Sequence, residues 1–307
     1  MPLPRPEIGH LLTVGRTRLR ESTAIDHWRG AIAREDAEDL LALALGVEVE
    51  ALDPEAPVPA RAERRYRDYL ERRAAGEPVA LIRGAVCFAG LTLKVRPGVF
   101  VPRGSSELLA EAAIAALRRR PVKVAVDVAC GAAPVACAVA AALPSAEVWG
   151  LDIDPAAVAL SRANARRNHL TNARFRVSDL LAGLPPRLRG EVGAFTMHPP
   201  YVARREVRAL PREIRGFEPR HTLTDGSADG LGLVRDLVGQ APGWLRRGGV
   251  VLFEVAPYLS RPVQSLLRGA DLATGVADGD RSLEAKGTAA LTAGTEALSA
   301  AGADLDG

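Results

Sequence analysis

Cysteine is scarce in this 307-residue chain: Cys87, Cys130 and Cys137 are the full set. The number is odd and the spacing fits no zinc site, so neither a disulfide framework nor a bound metal is expected. Lysine is scarcer still in proportion. Lys94, Lys123 and Lys286 are the only lysines among 40 basic residues, and the rest are arginine. With 37 acidic residues and a net charge of +3, the arginines read as compositional bias and not as a nucleic-acid footprint. No run approaches the ~18 consecutive apolar residues of a membrane span. The opening MPLPRPEIGH has no apolar stretch of the secretory kind. A cytoplasmic protein is expected. At 48% hydrophobic residues the chain can bury a sizeable core.

What is present divides the chain. Residues 1–77 carry helical signals. REDAEDLLALALG sets Ala37, Leu40, Leu41 and Ala44 on one helical face, with Gly46 placed to end it. ARAERRYRDYLERRAAGEP sets Tyr66, Tyr69 and Leu70 on another and stops at Gly76 and Pro78. Residues 78–103 are rich in β-branched residues and broken by Gly and Pro, which predicts a hairpin linker. From 104 to 292, strands and helices alternate. Strands are expected at 122–129, 147–154, 173–180, 192–198 and 249–256. Helices are expected at 105–119, 133–142, 155–168 and 228–246. Such alternation predicts an α/β doubly wound sheet. The small, polar residues 293–307 predict a poorly ordered tail.

In a doubly wound sheet, ligands sit at the carboxyl ends of the strands. Three features fall there. DVACGAA, from Asp127 to Ala133, links a strand to a helix; Gly131 and the alanines allow close backbone approach beside a helix N-terminus. Asp152 ends the next strand and suits the two hydroxyls of a ribose. Asp154 suits the N-cap of the following helix, ahead of Pro155. Asp179 ends the third strand, where a carboxylate can accept from an exocyclic amine. Together they suggest an adenosine-containing cofactor and do not separate NAD from S-adenosylmethionine.

The segment AFTMHPPYVARREV, residues 194–207, is the more specific feature. A polar residue, two prolines and an aromatic at the end of a strand resemble the NPPY motif of methyltransferases acting on planar nitrogens. ERRAAGEPVALIRGAVCFAGLTLKVRPGVFVPRGSSELL, GFEPRHTLTDGSADGLGLVRDL and RGGVVLFEVA resemble the linker, post-motif and late-strand segments of HemK-type protein-glutamine methyltransferases. The resemblance spans residues 35–290. It implies a class I, Rossmann-like methyltransferase domain with a seven-stranded sheet, preceded by a helical substrate-docking domain and a β-hairpin linker. The implied cofactor is S-adenosylmethionine, leaving as S-adenosylhomocysteine. The implied cofactor contacts are Phe100, Arg103, Asp127, Ala129, Gly131, Asp152, Ile153, Asp179, Leu180 and His198. Substrate contacts are implied at Glu107, His198, Pro199, Pro200 and Tyr201, with His198, Pro199 and Tyr201 catalytic. No metal is implied.

The departures are as informative. His198 stands where the family has Asn. Asn presents a carbonyl and an NH₂ on one small planar group; neutral His presents one acceptor and one donor on opposite sides of a ring. His can also take a proton. The loop reads ACGAA where the family has GTGSG, and its alanine methyls crowd the cofactor's approach. The expected activity is therefore N-methylation of an acceptor diverged from the usual glutamine amide, a small molecule or a peptide. Alternatives are methylation of the glutamine in release factors, the family's role, and a cofactor-binding protein that no longer catalyses. A nucleic-acid acceptor is disfavoured, because the linker and N-terminal segments match the protein-modifying branch.

Overall fold

A computed structural model describes residues 5–25, 32–118, 123–270, 272–277 and 289–294. His27 and the end of the expected tail, from 295 on, lie outside the described residues. The chain forms two compact units. One comprises residues 1–85 with 208–218, the other 86–207 with 219–307.

The first unit is helical. Its long helices are α1 (Ile8–Arg20), α2 (Ile32–Leu45) and α3 (Ala60–Ala74). Ala37, Leu40, Leu41 and Ala44 are all buried, as the spacing along α2 predicts. They meet Leu11, Leu19, Tyr66 and Leu70 in one core. Val79–Arg83 is a short helix ended by Gly84 in the left-handed conformation, where the sequence reading begins a hairpin. The buried Arg73 sits between two carboxylates, with Nε 2.6 Å from Asp36 and Nη1 2.9 Å from Glu213. Glu213 lies on the short helix Arg212–Phe217, so a segment distant in sequence completes this unit.

The second unit begins within the first strand of a hairpin, β1 (Ala85–Phe88) and β2 (Leu91–Lys94). Then follow α4 (Ser106–Arg118), β3 (Val124–Val128), α5 (Pro134–Ala142), β4 (Glu147–Asp152), α6 (Pro155–Arg167), β5 (Ala173–Val177) and β6 (Val192–Met197). After a long connection come α7 (Gly232–Gln240), β7 (Leu245–Val255), α8 (Ser260–Gly269), β8 (Ala273–Ala277) and β9 (Ala289–Gly294). Five strands run parallel in the order β5-β4-β3-β6-β7, and β9 and then β8 extend the β7 edge antiparallel. The order reverses between β3 and β6, which places a crevice at their carboxyl ends.

Side chains alternate across this sheet. Val124, Val126, Val128, Phe195, Met197, Val251 and Phe253 join one core, while Ala125, Ala194 and Leu252 join the other. Both faces are covered by helices, so central strands read as continuous apolar runs. Each large side chain fully buried this way contributes roughly 1.5–3 kcal/mol. The expected helix over 228–246 is shorter than predicted. It ends at Gln240 and a 3₁₀ turn, and the strand begins at Leu245. No helix among the described residues is long and apolar enough to cross a membrane.

Candidate active site

The loop after β3 is built on left-handed backbone. Ala129, Gly131 and Ala133 have φ of 54°, 55° and 60°. Gly131 suits that conformation, whereas each alanine pays about 1–2 kcal/mol for it. Three groups hold the loop in place. Asp152 Oδ2 accepts from the Gly131 amide at 2.8 Å. Ser161 Oγ donates to the Gly131 carbonyl at 2.7 Å. Asn164 Nδ2 donates to the Ala132 carbonyl at 3.0 Å, while its Oδ1 accepts from the Lys94 amide at 2.8 Å. Ser161 and Asn164 are wholly buried on α6. Polar residues three apart on an otherwise core-facing helix surface are a signal the sequence reading passed over.

Magnitudes separate the two alanines. At Ala129, glycine relieves the strain and loses about 0.5–1 kcal/mol in unfolded-state entropy. Ala129→Gly should therefore stabilise by about 0.5–1 kcal/mol. Ala133 is fully buried, so glycine there also forfeits about 0.8 kcal/mol of methyl burial. Ala133→Gly should be near neutral. Thermal unfolding of the two variants checks the contrast; equal shifts would mean the loop strain is not as described.

Asp127 departs from its expected place at the cofactor. Its carboxylate is buried and turned inward, accepting from Thr196 Oγ1 at 2.8 Å and from the Ala136 amide, in the first turn of α5, at 3.2 Å. It braces the loop from behind. Burial pushes its carboxyl up to about 7, against those two hydrogen bonds. The folded value thus lies above the unfolded one. Its stabilising contribution is complete below pH 4 and is lost as pH rises to about 7, by up to about 4 kcal/mol. Asp127→Asn cannot ionise, but leaves one donor facing an NH₂. It should be less stable than wild type at pH 5, and the gap should narrow by pH 8. Denaturant midpoints at both pH values test this.

Asp152 ends β4 partly exposed, with Oδ1 on the Asp154 amide at 2.9 Å. Burial pushes its carboxyl up, while the backbone donors pull it down. Asp154 caps α6 as expected, accepting from the Ala156 amide at 2.7 Å. Beside Asp152, Ile153 and Val177 are 65% and 50% exposed, an apolar margin on paired strand ends. Asp179 is exposed at the end of β5 and Leu180 has φ of 43°. A methyl added at Gly131 would meet nothing within 4 Å. Open space at the loop, a carboxylate with acceptor capacity to spare and an apolar flank fit an adenosine moiety.

On the other side of the loop lies His198, directly after β6. Its Nδ1 is 3.3 Å from Glu254 Oε2 and 3.3 Å from Ser106 Oγ. Glu254 is buried at the end of β7, and its Oε1 accepts from Ser105 Oγ at 2.8 Å. Phe100 meets the imidazole edge-on at 5.5 Å, and Tyr201 stacks on it at 5.8 Å. The Arg103 guanidinium lies 4.9 Å from the Phe100 ring centre. Burial pushes His198 down; the Glu254 charge opposes this and Arg103 reinforces it. Burial, with the Glu254 charge, pushes the Tyr201 phenol up to about 12. Glu107 departs from this cluster: its Oε1 accepts from the Ala89 amide in the hairpin turn at 2.7 Å. Glu254, Ser105 and Ser106 are not among the residues that the motifs imply. A lone acid in the apolar strand VVLFEVA was the available signal.

Pro200 and Tyr201 are held by backbone pairing. The Pro200 carbonyl accepts from the Asp225 amide at 3.1 Å, Tyr201 bridges Thr224, and the Val202 amide donates to the Leu223 carbonyl at 2.9 Å. Asp225 in turn accepts from the Ser227 and Leu233 amides, tying this turn to the start of α7. Among the described residues the Pro199 carbonyl has no hydrogen-bond partner.

Fold and crevice together define a class I S-adenosylmethionine-dependent methyltransferase. Residues 90–212 match the methyltransferase small domain and residues 10–84 match the PrmC N-terminal domain. Three proteins named release factor glutamine methyltransferase are similar over most of the chain. The one from Burkholderia pseudomallei is 37% identical, across 78% of this chain and 85% of its own length. Those from Geobacter sulfurreducens and Mycolicibacterium smegmatis are 36% and 35% identical, across 73% and 76% of this chain and 77% and 82% of their own lengths. A methyltransferase structure from Pyrococcus furiosus aligns at 15% identity with a TM-score of 0.47, across 67% of this chain and 89% of that one. The chain belongs to the HemK/PrmC family of S-adenosylmethionine-dependent methyltransferases.

Proposed function

We propose that the enzyme methylates a glutamine side-chain amide in a protein acceptor, a peptide-chain release factor. The observation that carries this reading is the pair of acceptors at the end of β6. A primary amide offers two N–H groups. The Pro199 carbonyl is unpaired among the described residues. His198 has Nδ1 against Glu254 and Ser106. A proton on Nδ1 is attracted by that carboxylate, which leaves Nε2 as an acceptor. The His ring thus keeps the half of the family's Asn that receives an amide hydrogen. The relatives' names and the match over residues 10–84 point to the same acceptor. A diverged acceptor rests on the Asn-to-His difference and on the alanine-substituted loop; the acceptor pair answers the first, and the loop bears on the cofactor and not on the acceptor.

S-adenosylmethionine, when bound, supplies an electrophilic methyl group on a sulfonium sulfur. Asp152, the Gly131 loop and the apolar margin of Ile153 would hold its adenosine end, and Phe100 and Asp179 would border it. Pro199 and His198 would orient the acceptor nitrogen, and Tyr201 would cover it. Orientation is the main help available for such a displacement. Methyl transfer onto a purified release factor, read by mass spectrometry of the acceptor peptide, tests the reading. A gain of one methyl on the glutamine is expected. Methylation elsewhere, or none while a primary-amide peptide of other sequence is labelled, would refute it.

A further inference from the structure

Glu254 Oε2 is shielded from solvent and makes no aligned hydrogen bond among the described residues, yet it lies 3.3 Å from His198 Nδ1. A buried carboxylate oxygen left without a partner is costly. A proton on His198 Nδ1, which also lies 3.3 Å from Ser106 Oγ, is the nearest one to that oxygen, and a charge on the imidazole strengthens the attraction. The ring packs edge-on with Phe100 and stacks with Tyr201, and the carboxylate is held by Ser105. About a fifth of the His198 side chain still reaches solvent, so the ring has an open side.

From this we infer that Glu254 is a positioning residue which keeps the His198 proton on Nδ1, and that His198 Nε2 receives the proton released by the acceptor nitrogen. The inference rests on the proposed N–H acceptor. In the transfer, the nitrogen lone pair forms the new N–C bond. The C–S bond breaks with its electron pair left on sulfur, and one N–H proton passes to Nε2. The resulting imidazolium faces Glu254, then returns its proton to water. The charged groups facing the ring are Glu254, which favours the imidazolium, and Arg103, which opposes it. Tyr201 also faces the ring and stays neutral, its phenol being pushed up to about 12. An Asn at position 198 could orient an amide but could not take the proton.

Glu254→Gln is the test. In the cofactor-free enzyme, nitrogen-15 NMR of labelled His198 should show the Nδ1-protonated tautomer in wild type and a shift toward the other tautomer in E254Q. Methyl transfer by E254Q should lose about 100-fold in kcat with KM little changed, since general-base help is worth about 10²–10⁴-fold. The acid limb of its kcat profile should move to lower pH, because the charge that raises His198 is gone. Ser105→Ala, which removes only the support of Oε1, should give a smaller change of the same sign, and serves if E254Q does not fold. An Nε2-protonated wild type, or an acid limb that does not move, would overturn the inference. The tautomer does not depend on the acceptor. A correct tautomer with an unlabelled release factor would therefore sink the proposed acceptor and leave the positioning role standing.

Discussion

Gly230→Ala should reduce kcat/KM at least 100-fold while leaving the far-ultraviolet circular dichroism intact. Gly230 has φ of +74°, and a Cβ there would lie 1.9 Å from the Tyr201 carbonyl oxygen and 2.6 Å from its carbon. The left-handed backbone alone costs alanine about 1–2 kcal/mol. The overlap adds about 1–3 kcal/mol and is with backbone, which has no rotamer by which to escape. The cheapest relief is for residues 200–203 to move away from 230. That displaces Pro199 and Tyr201, the wall of the proposed acceptor site. A misplacement of about 1 Å costs roughly 100-fold in a reaction that depends on alignment. Cofactor binding should change little, because the Gly131 loop and Asp152 lie on other strands. Steady-state kinetics with calorimetry of S-adenosylmethionine binding separates the two effects. Activity within threefold of wild type would mean that residues 200–203 do not line the acceptor site.

The strands around this site were legible in the sequence because their periodicity is strong. VKVAVDVA and VGAFTMH are apolar runs bounded by turn residues, and both lie in the parallel sheet. Asp152 and His198 were legible as candidates from their place at strand ends. The direction of Asp127 was not legible. A carboxylate at the fourth position of β3 can face the ligand or the neighbouring strand, and only the Thr196 hydroxyl and the Ala136 amide decide it. Glu254 was undervalued because its partner is 56 positions away, and no local pattern links them. The same reason hid residues 208–218. Their helix is six residues long, with no buried residues to give it a hydrophobic period. An ion pair, Glu213 with Arg73, ties it to the first unit.

Arg73→Ala should lower the stability of the helical unit by about 3–5 kcal/mol at pH 7.5, the range for breaking a buried pair on one side. Arg73 is 5% exposed, so its loss leaves Asp36 and Glu213 facing each other with little solvent. In the wild type, burial already holds the Asp36 carboxyl above its ordinary value, and the Arg73 charge pulls it back. Asp36 therefore stabilises the fold most below its unfolded value near 4 and loses that contribution as pH rises through the folded one. Without Arg73 the folded value climbs further, and so does the loss at neutral pH. The deficit of the variant should accordingly be largest at pH 7.5 and should shrink by pH 5 as the carboxyl takes up a proton. Hydrogen exchange of α2 and α3 peptides in the full chain, at both pH values, measures it unit by unit. Exchange should accelerate about 10²-fold or more at pH 7.5 in those helices, after correction for intrinsic rates. Strands β3 and β6 should stay protected. A deficit of equal size at both pH values would show that Asp36 is not the group left stranded. Replacing Arg73 and both acids together by apolar residues should recover most of the loss, since a well-packed apolar set avoids the desolvation that the triad must offset.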